Sequence, residues 1–351
     1  MANWSPNAFI ERIYEEHLQN AAANRQMTAE KERSQKKARL AELLKIDTQP
    51  QSDLHPILLQ QEDCGDFIRE RVEIQTYKGL TMPIYVLLPK RASERPRPAV
   101  IALHGHGYGS RELVGLSPDD QERQEGEGIH KHFALSLVRR GFVVIVPELL
   151  GFGERKLDED ALQDTSIEDR RKSSCYKLSS YLTHLGETLA GIRTYEVLRV
   201  VDYAQSRPDV QTGGVGSMGL SGGAFVGYLA AALDERFRAV VLSGYTNTYK
   251  DSHFFTRQHC LCDYIPGIVE LGDMPDIVSL IAPRALYLET GKEDPLFPLH
   301  GVLAAAEILE ARYEALGVKE NFEVEIFDGK HEISGAHAYD WLAAKLEHTV
   351  D

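Results

Sequence analysis

The middle and C-terminal parts of the chain show a regular alternation of short apolar runs and longer helical patterns. The runs are rich in Val, Ile and Leu and lie at residues 99–104, 142–149, 213–220, 239–245, 284–291 and 322–329. Continuous apolar runs are typical of strands that are buried on both faces. Helical patterns separate them, at residues 130–140, 185–205, 223–233, 302–316 and 336–346. This alternation predicts an α/β fold with a mostly parallel, doubly covered sheet.

Two other patterns precede this alternation. Residues 67–77 and 80–89 have strand-type periodicity around a Lys-Gly turn, which predicts an N-terminal antiparallel hairpin at a sheet edge. Residues 5–44 are polar, with apolar residues at helical spacing, and predict an N-terminal helical extension. Residues 46–56 contain two prolines and several turn formers, so we expect a linker there.

We therefore divide the chain into a helical extension with its linker, residues 1–60, and an α/β domain, residues 61–351. A single α/β domain with an appendage accounts for the length of 351 residues. The extension either packs on the surface of the domain or provides a cap or a contact between subunits. Whether the protein is a homo-oligomer is therefore left open.

Composition and charge exclude several classes of protein. Hydrophobic residues make up 43% and charged residues 26% of the chain, which are values typical of globular proteins. The net charge is −14 and no basic stripe is long enough to follow a phosphate backbone, so we expect no nucleic-acid partner. No stretch approaches the ~18 consecutive apolar residues of a membrane span, and the first residues lack the order of a signal peptide. We expect a cytoplasmic protein without a membrane partner.

The first candidate for chemistry is Ser221, in the sequence GLSGG. It has the G-x-S-x-G spacing of a nucleophile elbow, with a predicted strand before it and a predicted helix after it. The glycines allow the sharp crossing from strand to helix that exposes the hydroxyl group. The nearby Ser217 fails this spacing, because its flanking positions are Val215 and Gly219, and we expect it inside the strand.

A serine hydroxyl needs a general base, and that base needs an orienting carboxylate. Asp294 and His331 follow Ser221 in the expected order, and each lies in a loop just after a predicted strand. Loops at the carboxyl ends of strands meet at one edge of an open α/β sheet, where such proteins build their sites. The alternatives that we weigh are Glu289, Glu293, Asp328 and Glu332 as acids and His300 and His337 as bases.

An oxyanion hole needs backbone N–H groups beside the nucleophile. The glycine-rich sequence LHGHGYGS follows the strand at residues 99–104, and we expect the N–H of His106 to join that of Gly222. We expect no metal and no cofactor. His104 and His106 have no acids near them, and no second Cys/His pair is apparent for the sequence HCLC, with His259, Cys260 and Cys262. The four cysteines do not suggest a disulfide framework; they are Cys64, Cys175, Cys260 and Cys262.

The sequence resembles the α/β-hydrolase family in four motifs: HGHG, GLSGG, the aspartate of GKEDPLFP and the histidine of DGKH. It is most similar to the branch of dienelactone hydrolases and acetyl-xylan-esterase-like serine esterases that have an N-terminal helical extension, over residues 67–346. The nucleophile is a serine where dienelactone hydrolases have a cysteine, so the resemblance implies a carboxylesterase acting on short acyl esters of small molecules. A serine peptidase or amidase, or a noncatalytic binding protein of this fold, stays open. Specificity is expected from the polar segments at residues 110–129 and 148–183.

Overall fold

The computed structural model describes Trp4 and residues 6–23, 29–47, 50, 52–90, 96–160, 170–254 and 256–347. Within these residues nine strands form one sheet in the order β1-β2-β3-β5-β4-β6-β7-β8-β9. They are β1 (Ile57–Asp63), β2 (Phe67–Tyr77), β3 (Leu80–Pro89), β4 (Ala99–Leu103), β5 (Val143–Pro147), β6 (Val215–Leu220), β7 (Phe237–Ser243), β8 (Ala285–Gly291) and β9 (Phe322–Phe327). The order changes direction around β4, which places that strand at the centre of the sheet.

Strands β4 to β9 pair in parallel, whereas β1, β2 and β3 pair antiparallel with one another and β3 pairs antiparallel with β5. The residues of β4, β5, β6 and β8 are all buried, as the continuous apolar runs predict. The predicted α/β fold, with its parallel sheet and its N-terminal antiparallel strands, is confirmed.

Helices cover both faces of the sheet and enclose two clusters of buried apolar side chains. The helices are α1 (Pro6–Ala23), α2 (Ala29–Leu43), α3 (Phe133–Arg139), α4 (Ser174–His184), α5 (Leu189–Ser206), α6 (Gly222–Leu233), α7 (Tyr249–Ser252), α8 (Met274–Val278), α9 (Leu299–Ala315) and α10 (Ala338–Glu347). None of the helices among the described residues combines the length and the apolar character needed to cross a membrane.

Strand β1 is an element that the sequence pattern does not predict. All seven of its residues are exposed, including Ile57, Leu58 and Leu59, so the strand has no buried face to impose an alternating pattern. It pairs with β2, and the predicted hairpin therefore lies one strand inside the sheet edge. The predicted domain boundary at residue 61 falls within this strand, and the division into two units stays a prediction.

The two N-terminal helices pack against the α/β domain. Tyr14 of α1, Leu40 of α2 and Leu44 just after α2 are buried in the larger apolar cluster. Arg39 forms an ion pair with Glu270 at 2.8 Å. These contacts correspond to the first of the two roles considered for the extension, packing on the surface of the domain.

Candidate active site

Ser221 lies where β6 ends and α6 begins. Its backbone has φ 56° and ψ −124°, a conformation that a residue with a side chain adopts only at an energetic cost. Two backbone hydrogen bonds of 2.9 Å hold it there, because its N–H donates to Ser243 and its carbonyl accepts from Phe225. The strained turn places the serine at the carboxyl edge of the central strands.

The two glycines of the G-x-S-x-G signature are required by close backbone approaches. A Cβ atom on Gly219 would lie 2.6 Å from the carbonyl carbon of Gly223. A Cβ atom on Gly223 would lie 2.1 Å from the carbonyl oxygen of Leu103, in β4. Helix α6 therefore packs directly on its own strand and on the neighbouring one, and the signature reflects this packing as much as any chemistry.

Ser217 lies within β6, as the spacing predicts, and its side chain is buried. Its hydroxyl has no hydrogen-bond partner within the part of the chain that the structure describes. It is a core residue of the sheet, separate from the edge where Ser221 lies.

Asp294 and His331 form a hydrogen-bonded pair in the loops after β8 and β9. Nδ1 of His331 lies 2.7 Å from Oδ2 of Asp294. The other oxygen of Asp294 accepts hydrogen bonds from the N–H groups of Leu296 (2.7 Å) and Phe297 (3.2 Å). Since an ionised carboxylate only accepts, Nδ1 of His331 carries the proton and Nε2 is left as the basic nitrogen.

This pair lies beside the serine turn. A Cβ atom on Gly244 would come within 3.1 Å of Nδ1 of His331, and Gly244 directly follows Ser243, the acceptor for the N–H of Ser221. The side chain of Asp294 is fully buried and that of His331 is 12% exposed, so the imidazole is the part of the pair that solvent and a ligand can reach. The structure thus brings the three sequence-predicted residues to one edge of the sheet, and their catalytic roles stay a prediction.

The alternative acids and bases occupy other environments. Glu289 is buried and accepts hydrogen bonds from the hydroxyl of Ser243 (3.0 Å) and the N–H of Gly335 (2.7 Å), as well as from the N–H of Ser334. Burial raises its pKa to about 7, despite these hydrogen bonds. Through its hydrogen bonds with Ser334 and Gly335, Glu289 supports the segment that follows His331.

The other alternative residues differ in exposure and pairing. Glu293, His300 and His337 are exposed. Asp328 forms an ion pair with Lys292, and Glu332 forms one with Lys131.

The glycine-rich loop after β4 passes over the serine turn. A Cβ atom on Gly105 would lie 3.0 Å from Cβ of Ser221, and one on Gly222 would lie 3.4 Å from Nδ1 of His106. Gly222 is the first residue of α6, where a backbone N–H has no acceptor within the helix. The two residues expected to form the oxyanion hole are therefore neighbours beside Ser221, and that role also stays a prediction.

A buried glutamate–histidine pair that the sequence analysis did not identify holds this loop. The N–H of Gly105 donates to Nε2 of His130 at 2.9 Å, and Nδ1 of His130 lies 2.9 Å from Oε2 of Glu112. Because an amide N–H can only donate, Nε2 is the acceptor and Nδ1 carries the proton that faces Glu112. Burial lowers the pKa of His130 although Glu112 opposes that shift, which favours the neutral ring.

His104 has a structural role in the same region. Its Nε2 accepts from the N–H of Leu149 at 3.1 Å, and its Nδ1 lies 2.9 Å from the carbonyl oxygen of Gly105. Glu148 is fully buried next to it and accepts two hydrogen bonds from Ser110, from the N–H at 3.0 Å and from the hydroxyl at 2.7 Å. These contacts fix both ends of the glycine-rich loop.

The expectation that the HCLC sequence lacks further Cys or His partners is wrong. The chain folds so that potential metal-ligating atoms of four residues lie within 4.8 Å of one another; the residues are His106, Cys175, Cys260 and Cys262, here called the Cys₃His cluster. His259 is not part of it. Cys175 is 85 positions from Cys260 along the chain, which is why local spacing does not reveal the set. The available signal was a third cysteine in the polar segment at residues 148–183.

Comparisons with known proteins agree with this architecture. The model of the Abhydrolase family matches residues 5–327. The chain is 30% identical over 253 residues to YtaP of Bacillus subtilis (strain 168), which is provisionally named a hydrolase; the match covers 69% of this chain and 75% of YtaP.

Two solved structures share the fold. A protein of Bacteroides fragilis NCTC 9343, provisionally named an acetyl xylan esterase, superposes with a TM-score of 0.70 at 18% identity, over 84% of this chain and 74% of that chain. A glucuronoyl esterase from Solibacter usitatus superposes with a TM-score of 0.62 at 18% identity, over 89% of this chain and 90% of its own. The resemblance noted from the sequence motifs is confirmed at the level of family and fold.

Proposed function

The chain belongs to the Abhydrolase family, and from this premise we propose that it is a serine esterase that cleaves carboxylic esters. The observation that carries the proposal is the hydrogen bond between Asp294 and His331 beside the strained turn of Ser221. A fold by itself does not determine a function, so the proposal depends on this geometry.

The proposed reaction begins when Oγ of Ser221 attacks the ester carbonyl and Nε2 of His331 takes the hydroxyl proton. Asp294 keeps the imidazole in the required tautomer and stabilises the imidazolium ion that forms. The carbonyl oxygen becomes an oxyanion, which accepts hydrogen bonds from the backbone N–H groups of His106 and Gly222. In measured cases one such donor contributes about 2.7 to 4 kcal/mol to transition-state stabilisation.

The tetrahedral intermediate collapses when His331 gives its proton to the departing alcohol, which leaves an acyl group on Ser221. Water then attacks the acyl-enzyme with His331 again as the base, and the acid is released. Every proton transfer in this sequence uses His331. None of these steps calls for a cofactor.

The substrate class is proposed from the similar structures. The similar proteins include an acetyl xylan esterase and a glucuronoyl esterase by name, so we propose short acyl esters, with acetyl esters as the first candidates. The polar segments at residues 110–129 and 148–183 supply Glu112 and Cys175, which contact or support the glycine-rich loop, and these segments are the proposed source of specificity.

A panel of p-nitrophenyl acyl esters and aminoacyl anilides tests this proposal. We expect turnover of the acetyl and other short acyl esters, with kcat/KM falling as the acyl chain lengthens. If aminoacyl anilides had a higher kcat/KM than every ester tested, the function would be that of a peptidase or amidase. Absence of turnover together with absence of labelling by a fluorophosphonate would favour a noncatalytic protein of this fold.

A further inference from the structure

Three separated segments of the chain bring the four members of the Cys₃His cluster together. His106 belongs to the loop after β4, Cys175 to the first turn of α4, and Cys260 and Cys262 to the loop that follows α7. All three cysteines are buried: Cys175 is 1% exposed, Cys260 is 3% exposed and Cys262 is 2% exposed. Nothing in the proposed ester chemistry uses these thiols.

Three of the six distances within the cluster are close to those between the ligands of a tetrahedral zinc ion. Sγ of Cys175 lies 3.5 Å from Sγ of Cys260, while Nε2 of His106 lies 3.5 Å from Sγ of Cys262 and 3.7 Å from Sγ of Cys175. With Zn–S bonds of about 2.3 Å and a Zn–N bond of about 2.0 to 2.1 Å, a regular tetrahedron separates two sulfurs by about 3.8 Å and a sulfur from a nitrogen by about 3.6 Å. All four ligand atoms lie within 4.8 Å of one another, which is close enough for a single metal ion to contact each of them.

From this geometry we propose that the Cys₃His cluster is a structural Zn²⁺ site that anchors the loop carrying His106. Three thiolates and one imidazole make a closed set of four ligands, which is the composition of structural zinc sites, whereas catalytic sites keep an open position. Sulfur-rich tetrahedral sets select zinc over hard cations such as Mg²⁺ and Ca²⁺. On binding, three S–H bonds break and their protons leave to solvent, four bonds to zinc form, and the site carries a net charge of −1.

The surroundings include a cation placed to offset that charge. Nη2 of Arg193 lies 3.3 Å from Sγ of Cys175, and the same guanidinium group is fixed by the carbonyl oxygen of Leu150 at 2.9 Å. The ring of Phe152 lies under that guanidinium and meets the ring of His106 edge to face at 5.2 Å. Asp263 brings a carboxyl oxygen to 3.5 Å from Sγ of Cys262, and its other oxygen lies 4.0 Å from Nδ1 of His259.

The site has a direct connection to the serine turn. A metal bond at Nε2 of His106 places the ring proton on Nδ1, and Nδ1 is the atom that faces Gly222. The ion thereby fixes both the position of this loop and the tautomer of its histidine. This consequence for catalysis rests on the proposed esterase function, whereas the binding of the metal does not.

Metal analysis of the purified full-length protein tests the site itself. We expect about one zinc ion per chain by inductively coupled plasma mass spectrometry, as for other structural sites. Cys260→Ser should lower the zinc content at least about tenfold, because it removes one thiolate from the closed set. Cys64→Ser is the matched control, since Cys64 is a free cysteine outside the cluster, and it should keep the wild-type zinc content.

Replacing the bound metal by Co²⁺ gives a second measurement on the wild-type protein, which keeps the test valid if the serine variant fails to fold. We expect thiolate-to-cobalt charge-transfer bands in the near ultraviolet and intense visible bands of tetrahedral Co²⁺. Wild-type protein without zinc and without these bands would overturn the proposal. So would equal loss of zinc in Cys64→Ser and Cys260→Ser, or a disulfide between Cys175 and Cys260 in the purified protein.

The link to the serine turn has its own readout. Removal of zinc with a chelator should lower kcat for a short acyl ester about tenfold or more with a smaller change in KM, and added Zn²⁺ should restore it. Zinc-loaded protein that hydrolyses no ester would contradict the proposed function and leave the metal site intact. Protein stripped of its zinc that is still fully active would contradict the link between the metal site and the serine turn and leave the proposed function intact.

Discussion

Asp294 and His331, 37 positions apart in the chain, are joined by a hydrogen bond of 2.7 Å between Oδ2 and Nδ1. The loops that carry them follow β8 and β9, neighbouring parallel strands, so the sheet itself brings the two residues together. The hydrogen bond fixes which nitrogen of His331 is basic. In the proposed mechanism this is the nitrogen that takes the proton from Ser221.

Replacing Asp294 by Asn should therefore lower kcat by about 10²- to 10⁴-fold with the fold retained, because the amide can favour the wrong tautomer of His331. The matched control is Glu293→Gln, since the adjacent Glu293 is exposed and should tolerate the change. Ester hydrolysis and circular dichroism of both variants check this. A near-normal Asp294→Asn beside an inactive, folded Glu293→Gln would mean that the acid is misassigned.

Gly223→Ala should prevent normal packing of the serine turn. The added Cβ would lie 2.1 Å from a backbone oxygen of β4, which no side-chain rotation can relieve. We expect a loss of about 3 kcal/mol or more in the free energy of unfolding, the upper end of what overpacking costs. Gly227→Ala, one turn further along α6, meets only a side-chain carbon at 3.3 Å and should change stability far less. Urea unfolding curves that shift equally for both variants would contradict the argument.

His130→Ala should reduce kcat about 10- to 100-fold with little change in KM, since it leaves the buried N–H of Gly105 without its acceptor and loosens the glycine-rich loop. His132 provides the control. It is buried nearby, and neither of its ring nitrogens has a hydrogen-bond partner among the described residues. Steady-state kinetics on an acetyl ester should show His132→Ala close to wild type. Equal kinetics for the two variants would remove the positioning role from His130.

Glu289 gives a prediction on pH dependence. Its pKa is raised from 4.5 to about 7, with burial as the largest cause. Between these two values the folded protein retains a proton that the unfolded chain releases. Glu289 thus contributes about 3 kcal/mol to the free energy of unfolding below about pH 4.5. This contribution is lost as the pH rises to about 7.

Glu289→Gln stays neutral and can still accept from Ser334 and Gly335 while its amide donates to Ser243. The variant should therefore gain stability relative to wild type as the pH increases from 4.5 to 8, by an amount approaching about 3 kcal/mol. Urea unfolding midpoints of the two proteins across this range measure the difference. A constant difference between the two proteins at all pH values would show that Glu289 does not titrate as described.

Much of the fold could be predicted because buried parallel strands leave continuous apolar runs in the sequence. The turn at Ser221 could be predicted from its glycine spacing. Glycine is required at positions 219 and 223 because close backbone contacts there leave no room for a side chain. Asp294 and His331 were selected as candidates from their order in the chain and from their places after strands. Strand β1 escaped prediction because all of its residues are exposed.

The supporting groups of the site could not be predicted, since they depend on the paths of long loops. Glu112 and His130 lie 18 positions apart in segments whose sequence suggests a surface loop and a helix. The Cys₃His cluster combines residues from three segments, and only the folded chain places His106 beside Cys175, 69 positions away. Periodicity reports which side chains are buried, but it does not report which buried polar groups meet.

Covalent labelling with a fluorophosphonate tests the central assignment, that Ser221 is an activated nucleophile. The wild-type protein should be labelled on the peptide that contains Ser221, Ser221→Ala should not be labelled, and Ser217→Ala should be labelled like the wild type because Ser217 lies in the core of β6. Mass spectrometry of the labelled peptides identifies the modified residue. Equal labelling of Ser221→Ala and wild type, with both proteins folded, would contradict the account.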